Sequence, residues 1–299
     1  MKLLRKKLDT SVNRGTSTRK THPFALKRHL LPALLMLGAG IALGASLAPV
    51  SAWGIAWIAV APLWVAAVKS QTLKEAMFFG LCWGIGYHGT ALSWVVGLHP
   101  LTWLGLSWVA SITIATLAWC TVALWGAALS AIWAGGLHYL SQSSRGGLRL
   151  VVSAALWYGL EWVWNQSPLW WTAIANSQSP SNGTLLQLSS LSGADAIAFG
   201  ILLVNGALAE AWLARQGRFL LVAILVFLSL HGLGWGLSQR TTAINPQNTA
   251  TIGLVQGNLP SRFKLSPSGG RKSVSSYEQG YRALTDQNVD AVLLPEGAL

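Results

Sequence analysis

Two carboxylates stand where carboxylates do chemistry. Glu296 directly follows an apolar run, in Leu293-Leu294-Pro295-Glu296-Gly297. If that run is a strand, Glu296 sits at its carboxyl end, the place where open α/β sheets present ligands. A carboxylate held there can act as a general base; otherwise it is an ordinary solvated loop residue. Glu161 lies inside Leu156-Trp157-Tyr158-Gly159-Leu160-Glu161-Trp162. A charge within an apolar helix is costly unless it is paired or faces a wet cavity. Glu161 therefore marks either a functional site or a hydrogen bond between helices. It is the one intramembrane charge singled out here.

Other chemistry-bearing types point to no cofactor and no metal. Gly84-Ile85-Gly86-Tyr87-His88-Gly89 has the GxGxxG spacing, but a dinucleotide fingerprint needs a strand before it and an amphipathic helix after it. Here it falls in an apolar span and reads as close helix packing, like Gly40-xxx-Gly44 and Gly80-xxx-Gly84. His88 inside that span is either functional or a packed, hydrogen-bonded ring. The histidines have no ligand spacing. Cys82 and Cys120 lie in apolar runs and read as small buried hydrophobes.

The elements that must carry these residues are membrane helices. The chain is 52% hydrophobic and 10% charged, where soluble domains carry about a quarter charged residues. Seven apolar stretches, at 30–48, 53–68, 75–97, 103–138, 148–166, 193–214 and 218–238, approach the length of about 20 residues that crosses a bilayer. Pro62 is expected to kink the second. Seventeen Trp suit membrane–water interfaces, and Trp162, Trp170 and Trp171 flank or occupy an aromatic loop, 165–192, that lacks Lys and Arg. A Pro at 49, after the small residues 45–48, argues against signal cleavage there.

Loop charges set the direction. Nine of the 21 Lys and Arg fall in residues 1–28, and others flank alternate loops as Lys69 and Lys74, Arg145 and Arg149, Arg215 and Arg218. The intervening loops 49–52, 98–102 and 167–192 have none. The positive-inside rule places the basic tail (1–29) and those loops in the cytoplasm. Seven crossings of the 30–240 transmembrane domain leave the C-terminal part extracytoplasmic. The net charge of +12 thus orients helices, and no nucleic-acid partner is expected.

After residue 240 the composition becomes polar. The pattern predicts a strand over Thr251–Gln256, a Pro/Gly/Ser loop over 259–272, a helix over Ser273–Gln287 and a strand over Val289–Leu294. Two parallel strands joined by a helix cannot cover both sheet faces, so residues 250–299 read as the start of an α/β domain, unfinished at Leu299.

At these residues the chain resembles the bacterial apolipoprotein N-acyltransferases of the nitrilase superfamily. Ile252-Gly253-Leu254-Val255-Gln256-Gly257-Asn258-Leu259-Pro260 is similar to the opening strand of their nitrilase-like (CN hydrolase, αββα) domain. Leu294-Pro295-Glu296-Gly297-Ala298 is similar to their W-P-E-[ST]-A segment, with Leu294 for Trp and Gly297 for Ser/Thr. Leu156–Trp162 with the Pro168–Gln178 loop resembles their membrane signature, an L-x-x-x-E-W run, a Pro-Trp element and a Gln. The resemblance implies transfer of an acyl chain from a phospholipid donor in the bilayer to the N-terminal diacylglyceryl-cysteine of an apolipoprotein, in a bacterial inner membrane. It implies a thioester on a Cys, with Glu296 as general base and a Lys holding the oxyanion. Both partners lie downstream of the Glu in the family, so this fragment is expected to be inactive alone. Lys264 precedes Glu296 and is not that Lys, and Leu265 stands where many members have Trp. The alternatives are a non-enzymatic transporter subunit, or another membrane-attached C–N hydrolase.

Overall fold

A computed structural model of the chain describes residues 24–144, 146–240, 249–259 and 266–295. Most of the expected tail, Arg145, the 241–248 linker, the loop with Arg262 and Lys264, and Glu296 lie outside the described residues. The described chain is mostly helical with little sheet. Helices α1 (Phe24–Gly44), α2 (Ala61–Lys69), α3 (Leu73–Ala91), α4 (Trp108–Ser143), α5 (Gly147–Asn165), α6 (Gly183–Leu186), α7 (Ser189–Ala214) and α8 (Gly217–Ser238) build a bundle. Three of them, α4, α7 and α8, are long and apolar enough to cross a membrane; His29–Gly44 and Trp53–Lys69 are shorter apolar stretches.

Several boundaries differ from expectation for identifiable reasons. α1 begins inside the expected tail, because Ala25-Leu26-Lys27-Arg28 are all good helix formers; Pro32 lies within it. α4 starts at Trp108 and not at 103, since Gly105 takes a positive φ of 73° and Ser107 caps the helix by accepting from the Ala110 N–H. Its 36 residues run about 54 Å, well beyond a hydrocarbon core of about 30 Å.

The second stretch is broken, and Pro62 is not a kink. Trp53–Trp57 forms a 3-10 turn, and Pro62 sits in the first turn of α2, where its missing N–H costs nothing. The break leaves polar backbone in an apolar setting, which is tolerated only where protein groups satisfy it. Asn205 of α7 does so. Its Oδ1 accepts from Val60 N at 2.9 Å and Ala61 N at 3.0 Å, while Nδ2 donates to Ala56 O at 2.8 Å and Ile201 O at 2.9 Å. The Trp83 indole N–H donates to Ala59 O at 3.0 Å.

The glycine pairs pack helices as expected. A Cβ at Gly40 would lie 1.9 Å from Trp83 O, and one at Gly86 would lie 2.2 Å from Leu37 O, so α1 and α3 touch backbone to backbone. Gly80 and Gly84 meet α4 at Ser130 O and Ala127. The GxGxxG run is therefore a packing surface facing both α1 and α4. The tryptophans divide in a way that composition does not show. Trp64, Trp83, Trp133 and Trp157 are fully buried and meet edge to face through the core, with Trp64–Trp133 at 5.6 Å, Trp133–Trp157 at 5.3 Å and Trp83–Trp157 at 6.1 Å.

Glu161 is not the only buried charge. Arg149, expected in a loop, lies buried in the first turn of α5, and its Nε donates to Glu210 Oε1 of α7 at 2.7 Å while Nη2 donates to Oε2. The Trp64 indole N–H donates to the same Oε1 at 3.0 Å. The pair is bidentate, which is the favourable geometry for a guanidinium and a carboxylate.

Beyond the bundle, β1 (Ile252–Leu254) and β2 (Ala291–Leu293) pair in parallel, with Ile252 opposite Ala291 and Leu254 opposite Leu293. α9 (Pro267–Thr285) connects them. It starts six residues before the expected Ser273, because Ser266 caps Gly269 N at 3.0 Å and Pro267 pre-sets the first turn. Tyr277, Gly280 and Leu284 face β1 and the residues after it, at Gly257, Val255 and Gly253.

Two outcomes follow from the buried polar groups. Asn205→Leu removes the side chain that pairs Ala56 O, Val60 N and Ala61 N at the helix break and should cost about 1–3 kcal/mol per stranded group. The thermal midpoint of the purified chain in detergent measures this, and an unchanged midpoint would mean packing alone holds the break. Glu210→Leu strands the Arg149 guanidinium and should cost about 3–5 kcal/mol, whereas Arg149→Met with Glu210→Leu should recover most of the loss. If the double replacement is as damaging as the single, charge pairing is not what the site requires.

Candidate functional site

α5 carries Glu161 near its last turn, at the end of the bundle opposite Arg149. The separation of twelve positions corresponds to about 18 Å along the helix. Glu161 is 2% exposed. Its Oε1 accepts from Ile174 N at 3.0 Å, so the carboxylate holds the segment that follows α5. Two neighbours on α3 hold the same segment two residues earlier. The Tyr87 hydroxyl donates to Thr172 O at 2.9 Å, and His88 Nδ1 lies 2.7 Å from Thr172 Oγ1. His88 is fixed in turn by α4, since a Cβ at Gly126 would fall 2.5 Å from its ring. Residues 172–174 are thus fastened to two helices through three polar side chains.

The expected aromatic residues separate into two groups. Trp170 is buried, and its ring lies 5.6 Å from that of His88. Trp162 is 56% exposed beside the buried Glu161, and Trp171 is 46% exposed, meeting Trp94 at 5.7 Å. The structure therefore gathers Glu161 and Trp170 beneath one segment and leaves Trp162 and Trp171 outside it. Glu296 follows Pro295 outside the described residues, three positions after the last residue of β2.

A second polar chain extends the site. The buried Gln178 donates through Nε2 to Trp53 O at 3.3 Å. Asn182 Nδ2 donates to Gln178 Oε1 at 2.9 Å and lies 3.1 Å from His231 Nε2 of α8. The His231 ring packs on Phe227 and Trp57. The segment between α5 and α7 is in this way tied to the 53–57 turn and to α8 as well.

Four polar atoms in the first cluster are buried and make no hydrogen bond to the described residues: Glu161 Oε2, His88 Nε2, Trp157 Nε1 and Trp170 Nε1. Trp157 precedes Glu161 by one helical turn on α5, and Trp83 packs between Tyr87 and Trp157. Unmet buried polar atoms are rare in proteins. Here they supply one acceptor, two indole donors and a ring nitrogen to a polar group brought among them. Cys82 and Cys120 are free and half-buried in α3 and α4. Among the described residues no group of three His, Cys, Asp or Glu could hold a metal.

Tyr87, Thr172, Asn182 and His231 are not separable from packing residues by spacing alone. Glu210 did carry a readable signal. A lone acid in an apolar run requires a partner, and Arg149 opens a neighbouring run.

Residues 39–207 match the family model of the apolipoprotein N-acyltransferase N-terminal domain. An apolipoprotein N-acyltransferase of Nostoc sp. is 41% identical over 265 residues, covering 86% of this chain and 53% of the relative. One from Thermosynechococcus vestitus is 40% identical over 274 residues, with 89% and 52% covered, and one from Synechocystis sp. is 32% identical over 288 residues, with 86% and 56% covered. The chain belongs to the apolipoprotein N-acyltransferase family, an acyltransferase family, and is a membrane protein. It spans about half the length of the curated relatives it matches.

The clamp predicts a graded response at Glu161. Glu161→Ala leaves the buried Ile174 N–H without an acceptor and should cost about 1–3 kcal/mol. It should also expose the 167–182 segment to limited proteolysis. Glu161→Gln keeps an acceptor oxygen at the same place and should stay near the parent in both measurements. Equal cleavage of parent and Glu161→Ala would show that the carboxylate does not hold the segment.

Proposed function

We propose that this chain supplies the membrane half and the first catalytic residue of an apolipoprotein N-acyltransferase, acting on a phospholipid donor and a diacylglyceryl apolipoprotein. The observation that carries this reading is the order of parts. An apolar bundle that matches the family's N-terminal domain is followed by a parallel strand–helix–strand unit whose second strand leads directly to Pro295-Glu296.

In this reading residues 30–240 cross a bacterial inner membrane about seven times, counting the broken 53–69 stretch as one passage. Residues 1–29 are cytoplasmic, and 250–299 open a nitrilase-like domain on the other side. The alternation of Lys- and Arg-bearing loops with loops that have none supports this direction. The carboxylate of Glu296 then takes the proton of a cysteine thiol supplied downstream in the family pattern, and a Lys stabilises the oxyanion. The thiolate attacks the ester carbonyl of the phospholipid, a lysophospholipid leaves with a proton, and a thioester remains. The α-amino group of the lipoprotein cysteine attacks that thioester, forming the amide and restoring the thiol.

The bundle's part is positional. A donor dissolved in lipid reaches the site only through the membrane, so the site must be mounted on membrane helices. Glu161, Tyr87 and His88 hold residues 172–174 at the end of the bundle away from Arg149, with Trp170 packed on the His88 ring. Trp162 and Trp171 are then free to lie at the lipid–water boundary, where indoles are favoured.

A chimera in which residues 1–299 replace the matching half of the Nostoc relative tests this. The expected outcome is thioester formation and lysophospholipid release from a phospholipid donor, followed by acylation of a diacylglyceryl peptide. Glu296→Gln in that chimera should abolish thioester formation without altering membrane insertion. A thioester formed at the parent rate by Glu296→Gln would remove Glu296 from the chemistry, and an inserted chimera that forms none would overturn the reading.

A further inference from the structure

At the end of the bundle away from Glu161, the last turns of α7 separate two contiguous depressions of opposite character. One is a groove of about 560 Å³ between α1, α2 and α7, lined by Leu31, Leu35, Ile58, Val65, Leu208 and Trp212 among others. It is apolar throughout. The other is a cleft of about 370 Å³ lined by Lys69, Ala211, Trp212, Leu213 and Arg215. Trp212 belongs to both, so its indole is a shared wall of the apolar groove and the basic cleft.

The charges of the cleft are not otherwise engaged. Lys69 and Arg215 are exposed and make no ion pair among the described residues. The nearby Arg149 differs, because Glu210 already neutralises it. Trp212 is 72% exposed at the junction, in the position an indole takes at the boundary between acyl chains and headgroups. Helix-orienting charges need only be present at the right end of a span. They need not share a wall with an apolar groove.

We propose that this surface is a binding site for an anionic phospholipid of the leaflet at that end, with an acyl chain in the α1–α2–α7 groove and the phosphate between Lys69 and Arg215. A basic pocket between membrane helices is a recurring way of holding such headgroups. The groove volume is within the range of sites that take ligand-sized molecules. The site stands apart from the proposed acyl donor, which would be handled at the Glu161 end, so it holds a lipid as a bound component and not as a reactant. It does not depend on the acyl-transfer reading.

The test uses the purified chain in detergent, with phosphatidylglycerol and phosphatidylcholine as probes and native mass spectrometry as the readout. Phosphatidylglycerol should be retained in preference to phosphatidylcholine. Lys69→Gln and Arg215→Asn should each weaken its binding about fivefold, and the two together about 25-fold, as expected for one and two lost cation–phosphate contacts. Asn is chosen because Arg215 has a positive φ of 53°, which Asn tolerates. Arg215→Lys should keep parent binding, and so should Lys74→Gln, a cation outside the cleft. Thermal midpoints unchanged in the absence of added lipid verify that the variants are folded. Ala66→Phe, which fills the groove and leaves both cations, should weaken the lipid but not free glycerophosphate. Equal retention of the two lipids, parent-like binding by the double variant, or free glycerophosphate binding as tightly as the lipid would each overturn the proposal.

Discussion

The bundle is organised around one constraint: backbone hydrogen-bonding groups buried in an apolar setting must be paired. An unbroken helix meets that requirement internally, but the Trp53–Lys69 passage does not. Its 3-10 turn and the restart at Ala61 strand donors and acceptors at 56–61, and a single side chain on α7 reaches three of those backbone atoms. For Asn205 to do this, α7 must lie against α2 and the turn. For the Trp83 indole to reach Ala59 O, α3 must lie there too. That approach in turn places the Gly40–Trp83 and Gly86–Leu37 contacts, where no side chain larger than hydrogen fits between α1 and α3. One broken helix thereby fixes the positions of three others.

The buried charges at the two ends of the bundle are treated differently. Glu210 is saturated: a bidentate guanidinium and an indole N–H occupy its oxygens. Such a pair contributes little net stability over apolar packing, but it fixes α5 against α7 in one register. Glu161 is half saturated. One oxygen restrains the 172–174 segment, and the other makes no hydrogen bond of good geometry among the described residues, although the Trp157 indole lies beside the carboxylate. A partly satisfied network is costly, and folded proteins keep such costs chiefly at sites that do something.

Much of this was legible in the sequence. Composition and apolar runs predicted a mostly helical chain and the approximate place of most helices, with ends displaced by up to six residues and the break in the second missed, because length and hydropathy are summed over many positions. The small-residue spacing Gly40-xxx-Gly44 and Gly80-xxx-Gly84 predicted close packing, since only glycine permits the observed approach. Glu161 stood out because a carboxylate in an apolar helix has few inexpensive explanations. What was not legible depends on contacts distant in the chain. Asn205 looks like any polar residue in a span until the break at 58–61 is placed beside it, 144 or 145 positions away. Pro62 reads as a kink by rule and is a helix start in fact, and only the 3-10 turn before it decides between the two. Buried and interfacial tryptophans are identical in sequence, so the four in the core could not be told from Trp162 or Trp171.

The contrast between the two ends gives the bundle a direction. At the Arg149 end, α5 and α7 are joined by groups whose partners are complete. At the Glu161 end the 167–188 segment is held by point contacts from α3, α5, the 53–57 turn and α8. Each of those contacts involves a side chain, and between them they hold the 3-10 turn at Ile174–Gln178 and the start of α6. The polar capacity of the bundle is thus complete at the Arg149 end and open at the Glu161 end, where Glu161 Oε2, His88 Nε2 and the Trp157 and Trp170 indoles have no hydrogen-bond partner among the described residues.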